Sequence, residues 1–114
     1  MGILELKHKW KLNKELKRSI KVLSSQYKPR KIILFGSLAN GKIRENSDID
    51  LLVIKDTSKR YWERVDEVIH LIHPQEAMDI FVLTEKEIED SLNKDNQYLR
   101  DILEHGKVIY EETN

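Results

Sequence analysis

The chain predicts a small α/β (α+β) domain, a mixed β-sheet flanked by helices, on three observations. Short apolar runs at 31–35, 49–54 and 77–83 have the length of buried strands. Longer segments between and around them carry apolar residues at spacings of three and four, the helical period. At 114 residues the chain is read as one domain over 1–114, large enough for a core but not for a second sizeable unit.

Taken in order, Leu12, Leu16, Ile20, Leu23 and Tyr27 mark an amphipathic helix. Pro29 ends it, because the residue before a proline avoids the helical region. Residues 1–11 have no stripe of their own, and Trp10 finds no place there. Lys31-Ile32-Ile33-Leu34-Phe35 reads as a buried strand stopping at Gly36, with Ser37 expected to cap a short helix through Asn40. The run at 49–54 is the second strand, with acids at its leading end. Tyr61, Trp62, Val65, Val68, Ile69 and Ile72 form a second helical stripe closed by His73-Pro74, and Tyr61 and Trp62 are read as core or interface residues. The third strand is 77–83. Thr84 and Glu87 then have the spacing of a capping box ahead of Ile88 and Leu92. Leu99, Ile102 and Leu103 continue in a last helix that stops at Gly106. Val108-Ile109-Tyr110 reads as a short terminal strand or a packed tail.

Two short segments carry the chemistry. In Phe35-Gly36-Ser37-Leu38-Ala39-Asn40-Gly41 a strand ends at a glycine, which permits unusual backbone angles and close approach by a ligand. A strand running into a helix start aims free N–H groups at one point, an arrangement that suits a phosphate. In Ser47-Asp48-Ile49-Asp50-Leu51-Leu52-Val53-Ile54 the two acids are two apart, so in an extended chain both leave one face. Adjacent ionised carboxylates repel unless a cation lies between them, and acids entering an apolar strand are costly unless they stay at its edge or bind something. The joint reading is a nucleoside triphosphate at Gly36 and Ser37 and Mg²⁺ at Asp48 and Asp50. Gly36-x-x-x-x-Gly41-Lys42 also begins like a P-loop, but Ile43 stands where that motif needs a hydroxyl, and a polar stretch follows instead of a helix.

Composition narrows the classes. The formal net charge is zero, which argues against a polycation built for nonspecific nucleic-acid binding. Charge is nonetheless uneven: residues 1–31 hold ten Lys/Arg against two Glu, and residues 85–114 hold four Lys/Arg against nine Asp/Glu. A basic helix of this kind is read first as a solvated face; it has no interleaved aromatic run for RNA. With zero cysteines there is no disulfide framework and no thiolate metal site. No apolar run reaches the ~18 residues of a membrane helix, and residues 1–11 are too charged for a signal peptide. A soluble cytoplasmic protein is the expected default. His8, His70, His73 and His105 show no ligand spacing.

Gly36-Ser37, Gly41 and Ser47-Asp48-Ile49-Asp50-Leu51 together resemble the signature of the DNA polymerase beta-like nucleotidyltransferase superfamily, and the short chain looks most like its minimal nucleotidyltransferase branch. The resemblance covers about residues 31–83 and implies the nucleotidyltransferase fold. It implies that Gly36 and Ser37 contact the triphosphate, that Asp48 and Asp50 bind two metal ions, and that a third carboxylate completes the site. Asp79, the one acid in Ala77-Met78-Asp79-Ile80-Phe81-Val82-Leu83, is the candidate. Many relatives carry Arg where this chain has Asn40, which touches nucleotide contacts rather than metal ligands. By the same resemblance the catalytic set is Asp48, Asp50 and Asp79. The cosubstrates are ATP and Mg²⁺, two ions serving an in-line displacement. The partner that the resemblance implies is a helical HEPN-type toxin, which this chain would modify with AMP on a tyrosine as its antitoxin. Two alternatives stand beside it: transfer to a small molecule or an RNA end with a helper subunit, and a non-catalytic antitoxin that acts by occlusion.

Overall fold

The computed structural model describes residues 1–113. Four strands, β1 (Lys31–Phe35), β2 (Ile49–Ile54), β3 (Met78–Leu83) and β4 (Lys107–Glu111), form one sheet in the order β3-β2-β1-β4. β1 pairs antiparallel with β2 and β4, whereas β2 and β3 are parallel. A parallel pair needs a crossover, and the helix α3 (Tyr61–Ile72) supplies it. The result is the mixed α+β sheet that the sequence predicts.

Alternation along the strands divides the apolar residues between two faces. Ile32, Leu34, Leu51, Val53, Ile80 and Val82 turn toward α1 (Ile3–Val22) and α3, where they meet Leu12, Leu16, Leu23, Val68 and Ile72. Ile33, Phe35, Leu52 and Ile54 turn the other way, toward Leu99 and Ile102 of α5 (Gln97–His105) and Ile88 and Leu92 of α4 (Glu85–Asn93). Leu51, Leu52 and Val53 are fully buried because helices cover both faces of β2. Each such side chain contributes about 1.5–3 kcal/mol of burial.

Thr84 caps α4 as its spacing predicts: its Oγ1 accepts from the Glu87 N–H at 3.1 Å, and the Glu87 carboxylate accepts from the Thr84 N–H at 2.8 Å. Residues 108–110 do form a strand, the centre of β4. Four details differ from the sequence reading. The first helix starts at Ile3, not near Leu12, and its last turn, Leu23–Tyr27, widens into a π-helix before Lys28 turns left-handed. Ser37 is no cap, because α2 (Gly36–Asn40) begins one residue earlier, with Phe35 at the N-cap and no side-chain cap bond. Asp48 lies just outside β2 rather than within it. Trp62 and Tyr61 are not core residues: they face solvent, at 64% and 40% exposure, because the inward side of α3 is Arg64, Val68 and Ile72.

Candidate active site

The register of the sheet builds the site. Asp50 stands opposite Phe35 on one side and Asp79 on the other, so all three side chains leave the face that α4 and α5 cover. At this end of β2 the helices do not reach across, and the carboxylates meet solvent. Asp48 joins them from the preceding loop. Its position is set by the turn at residues 44–47, where the Ser47 hydroxyl accepts from the Arg44 N–H at 2.8 Å. A contact of 2.6 Å between His8 Nε2 and the Ser47 carbonyl ties α1 to the same loop. The Ile49 N–H donates to the Ala77 carbonyl at 3.0 Å, which locks the entry of β2 beside that of β3.

Asp48, Asp50 and Asp79 each place one carboxylate oxygen within 4.8 Å of the others. Burial, and then the charges of Asp48 and Asp79, push the Asp50 carboxyl up to about 7. That is the electrostatic mark of a cluster short of positive charge. A set of hard oxygen donors, two half-buried and one exposed, suits Mg²⁺ completed by phosphate oxygens and water. The donor chemistry therefore fits the metal.

Gly36 closes the site from β1. Its φ of +74° is one that side-chain-bearing residues rarely adopt, and a Cβ there would overlap the Asp50 carboxylate. The turn and the acid are built against each other. Ser37 follows in the first turn of α2, half-buried. At the far end of α2, Gly41 is left-handed, and the Asn40 side-chain oxygen accepts from the Lys42 N–H at 2.9 Å. All five residues singled out from the sequence, Gly36, Ser37, Asp48, Asp50 and Asp79, thus lie around one strand end.

Tyr98 escaped the sequence reading, and so did the grouping of His105 with two acids on α5. Tyr98, near the start of α5, packs edge-on against Phe35 and Phe81, with ring centroids 6.4 and 6.2 Å away. No local pattern marks it, because its partners lie on two distant strands. Asp101, Glu104 and His105 on α5 also bring ligand atoms within 4.8 Å of one another, though all three are exposed.

Three carboxylates converging beside a glycine turn have the layout of a metal-assisted phosphate site, and comparison with known proteins agrees. Residues 17–114 match the family model described as "Polymerase beta, Nucleotidyltransferase". A Methanocaldococcus jannaschii protein named "Putative protein adenylyltransferase" is 33% identical over 99 residues, covering 85% of this chain and 96% of its own. A second protein of that name and organism is 30% identical over 96 residues, covering 82% of this chain and 88% of its own. In fold, the chain is similar to a crystal structure of a "putative nucleotidyltransferase" from Sulfolobus solfataricus, at a TM-score of 0.68 and 23% identity, covering 98% and 91% of the two chains. The chain belongs to the polymerase beta nucleotidyltransferase family and is a nucleotidyltransferase.

Proposed function

We propose that the protein transfers AMP from ATP to a hydroxyl on a partner protein, with Mg²⁺ bound at Asp48, Asp50 and Asp79. The observation that carries this reading is the convergence of those carboxylates against the Gly36 turn, with Asp50 held near 7 where no cation relieves it. Bound there, the metal supplies positive charge for the phosphates and a lowered pKa for a coordinated hydroxyl. Gly36 and Ser37 hold the triphosphate end of the nucleotide. Asp79, the exposed member of the set, is the base in this reading and takes the hydroxyl proton. The acceptor oxygen bonds to the α-phosphorus, the α–β anhydride breaks, and pyrophosphate leaves. Both Methanocaldococcus relatives bear a name that specifies a protein acceptor, which favours protein over a small molecule or an RNA end. By resemblance to minimal nucleotidyltransferases, that acceptor is a tyrosine of a helical HEPN-type toxin, and this chain is its antitoxin.

One observation favours a second reading, neutralisation by occlusion. Ile3, Leu6 and Trp10 form an exposed apolar stripe on α1, at 72%, 57% and 63% exposure. Such a surface can bind a partner without using the carboxylates at all.

Labelled ATP and Mg²⁺, incubated with the protein and its co-encoded neighbour, separate the two. Transfer predicts a labelled neighbour with wild type and none with Asp48→Ala, together with lost protection from the toxin. Undiminished protection by Asp48→Ala, with no label in either case, would establish occlusion instead.

A further inference from the structure

The loop that presents Asp48 has few ties to the rest of the molecule. Residues 44–46 are exposed, and their turn closes on itself: the Arg44 N–H donates to the Ser47 hydroxyl at 2.8 Å, and the Ser47 N–H to the Arg44 carbonyl at 3.1 Å. Ile43 is buried on one side of the turn, and on the other the Ile49 N–H donates to the Ala77 carbonyl. Between these anchors, among the described residues, one hydrogen bond joins residues 44–47 to another element, from His8 Nε2 to the Ser47 carbonyl at 2.6 Å. We infer that His8 is a positioning residue for Asp48, through which α1 sets the geometry of the carboxylate cluster. The inference rests on the metal-assisted reading and goes beyond it, to a residue outside the set that holds the metal.

Three features carry it. First, the tether acts on the atoms that matter. The Ser47 carbonyl shares one rigid peptide plane with the N–H and Cα of Asp48. Fixing that oxygen therefore fixes the plane from which the Asp48 side chain leaves. A carbonyl only accepts, so Nε2 carries a proton and donates it.

Second, the first turns of α1 add little to the core. Ile3, Leu4, Leu6 and Trp10 are exposed, and packing against the sheet starts at Leu12. His8 is half-buried and spends its ring on the loop instead. It also lies ahead of residues 17–114, the part that matches the family model, so the family pattern does not account for it. Third, the contact is not one point of a filled seam. Glu5, one turn earlier, and residues 42–46 line an open concavity of about 620 Å³. Helix and loop meet at His8 across that gap, and loss of its donor leaves the Ser47 carbonyl to water.

Titration with Mn²⁺, a paramagnetic stand-in for Mg²⁺, followed by electron paramagnetic resonance, tests the assignment without nucleotide or turnover. His8→Leu keeps bulk and helix propensity but loses the donor; it should weaken Mn²⁺ binding about fivefold, the scale of one net hydrogen bond. His8→Gln carries an amide N–H the same number of bonds from the backbone and should bind within about twofold of wild type. A merely structural role for the ring would not be rescued in this way. Unchanged affinity in His8→Leu would overturn the inference and leave the metal site standing. Equal weakening in His8→Gln would overturn it too, because the donor would then be irrelevant. If wild type bound no Mn²⁺, or if Asp48→Ala bound it undiminished, the metal reading would fall and the inference with it.

Discussion

Asp50 carries the sharpest electrostatic conflict in the molecule. Its carboxyl is half-buried, lies within reach of Asp48 and Asp79, and fills the space a Cβ on Gly36 would need. Its value near 7 lies above the ordinary 3.8, so the native state keeps this proton where the unfolded chain has lost it. The metal-free protein should therefore lose stability from this group as pH rises from about 4 to about 7. Asp50→Asn removes the conflict and should raise the metal-free melting temperature, or leave it unchanged, with its advantage over wild type growing across that window. Melts at pH 4.5, 6 and 7.5 check this, and a large drop on substitution would argue against a shared cation site. Saturating Mg²⁺ should reverse the order, because only wild type keeps the full donor set. Gly36→Ala should be worse than its size suggests: about 1–3 kcal/mol of backbone strain, plus displacement of Asp50, seen as a lower melting temperature and lost Mg²⁺ binding. Asp48 and Asp50 were legible in the sequence as two acids separated by one residue at the head of an apolar run, although Asp48 is placed by the loop before β2 and not by strand alternation. Asp79 was not legible in that way. A lone acid in an apolar run acquires a partner only through strand register, and it was reached by family resemblance. Ser37 misled as a cap because α2 starts one residue earlier, at Gly36, which leaves Phe35 in the N-cap position.

Regular elements show where short-range pattern suffices and where it fails. The strands at 31–35 and 49–54 and the helix at 61–72 lie where period and length put them. The start of α1 does not, because residues 3–10 are helical without an inward apolar stripe; Glu5, His8 and Lys9 take the inward side. Arg64 on α3 is the other surprise, a cation only 8% exposed at its side chain. It donates to the Lys59 carbonyl at 2.8 Å, the Val82 carbonyl at 3.2 Å and the Glu87 carboxylate at 2.6 Å. One guanidinium thus joins α3, the outer edge of β3 and the cap of α4. Arg64→Leu leaves the Lys59 and Val82 carbonyls without their donor, while Glu87 keeps its bond from the Thr84 N–H, and should cost about 2–3 kcal/mol in denaturant unfolding. Lys59→Ala removes only the exposed pair with Glu67 and should stay within about 0.5 kcal/mol. A mild Arg64→Leu would show that water readily replaces the guanidinium.

Across the chain, stability and function divide along α1. Its core contacts begin at Leu12, which is fully buried, whereas Ile3, Leu4, Leu6 and Trp10 point to solvent. Removing residues 1–7 should therefore cost less than about 1 kcal/mol, against about 2–5 kcal/mol for Leu12→Ala. If the exposed stripe is the partner surface, the truncated protein should fold and bind Mg²⁺ yet lose affinity for its neighbour in a pull-down with purified components. The mixed strand order was beyond local reading for the same reason as Asp79: β2 and β3 meet only across a crossover, and β4 joins from the other end of the chain. The carboxylates of Asp50 and Asp79 crowd together only after β2 and β3 have paired, so their repulsion weighs on the native state alone, and a cation that relieves it binds the native state alone. Where free Mg²⁺ falls, the opened chain becomes more populated and accessible to proteases. The abundance of the protein in a cell would then follow divalent-ion supply as well as its rate of synthesis, tying turnover to the same three side chains that are proposed to bind the metal.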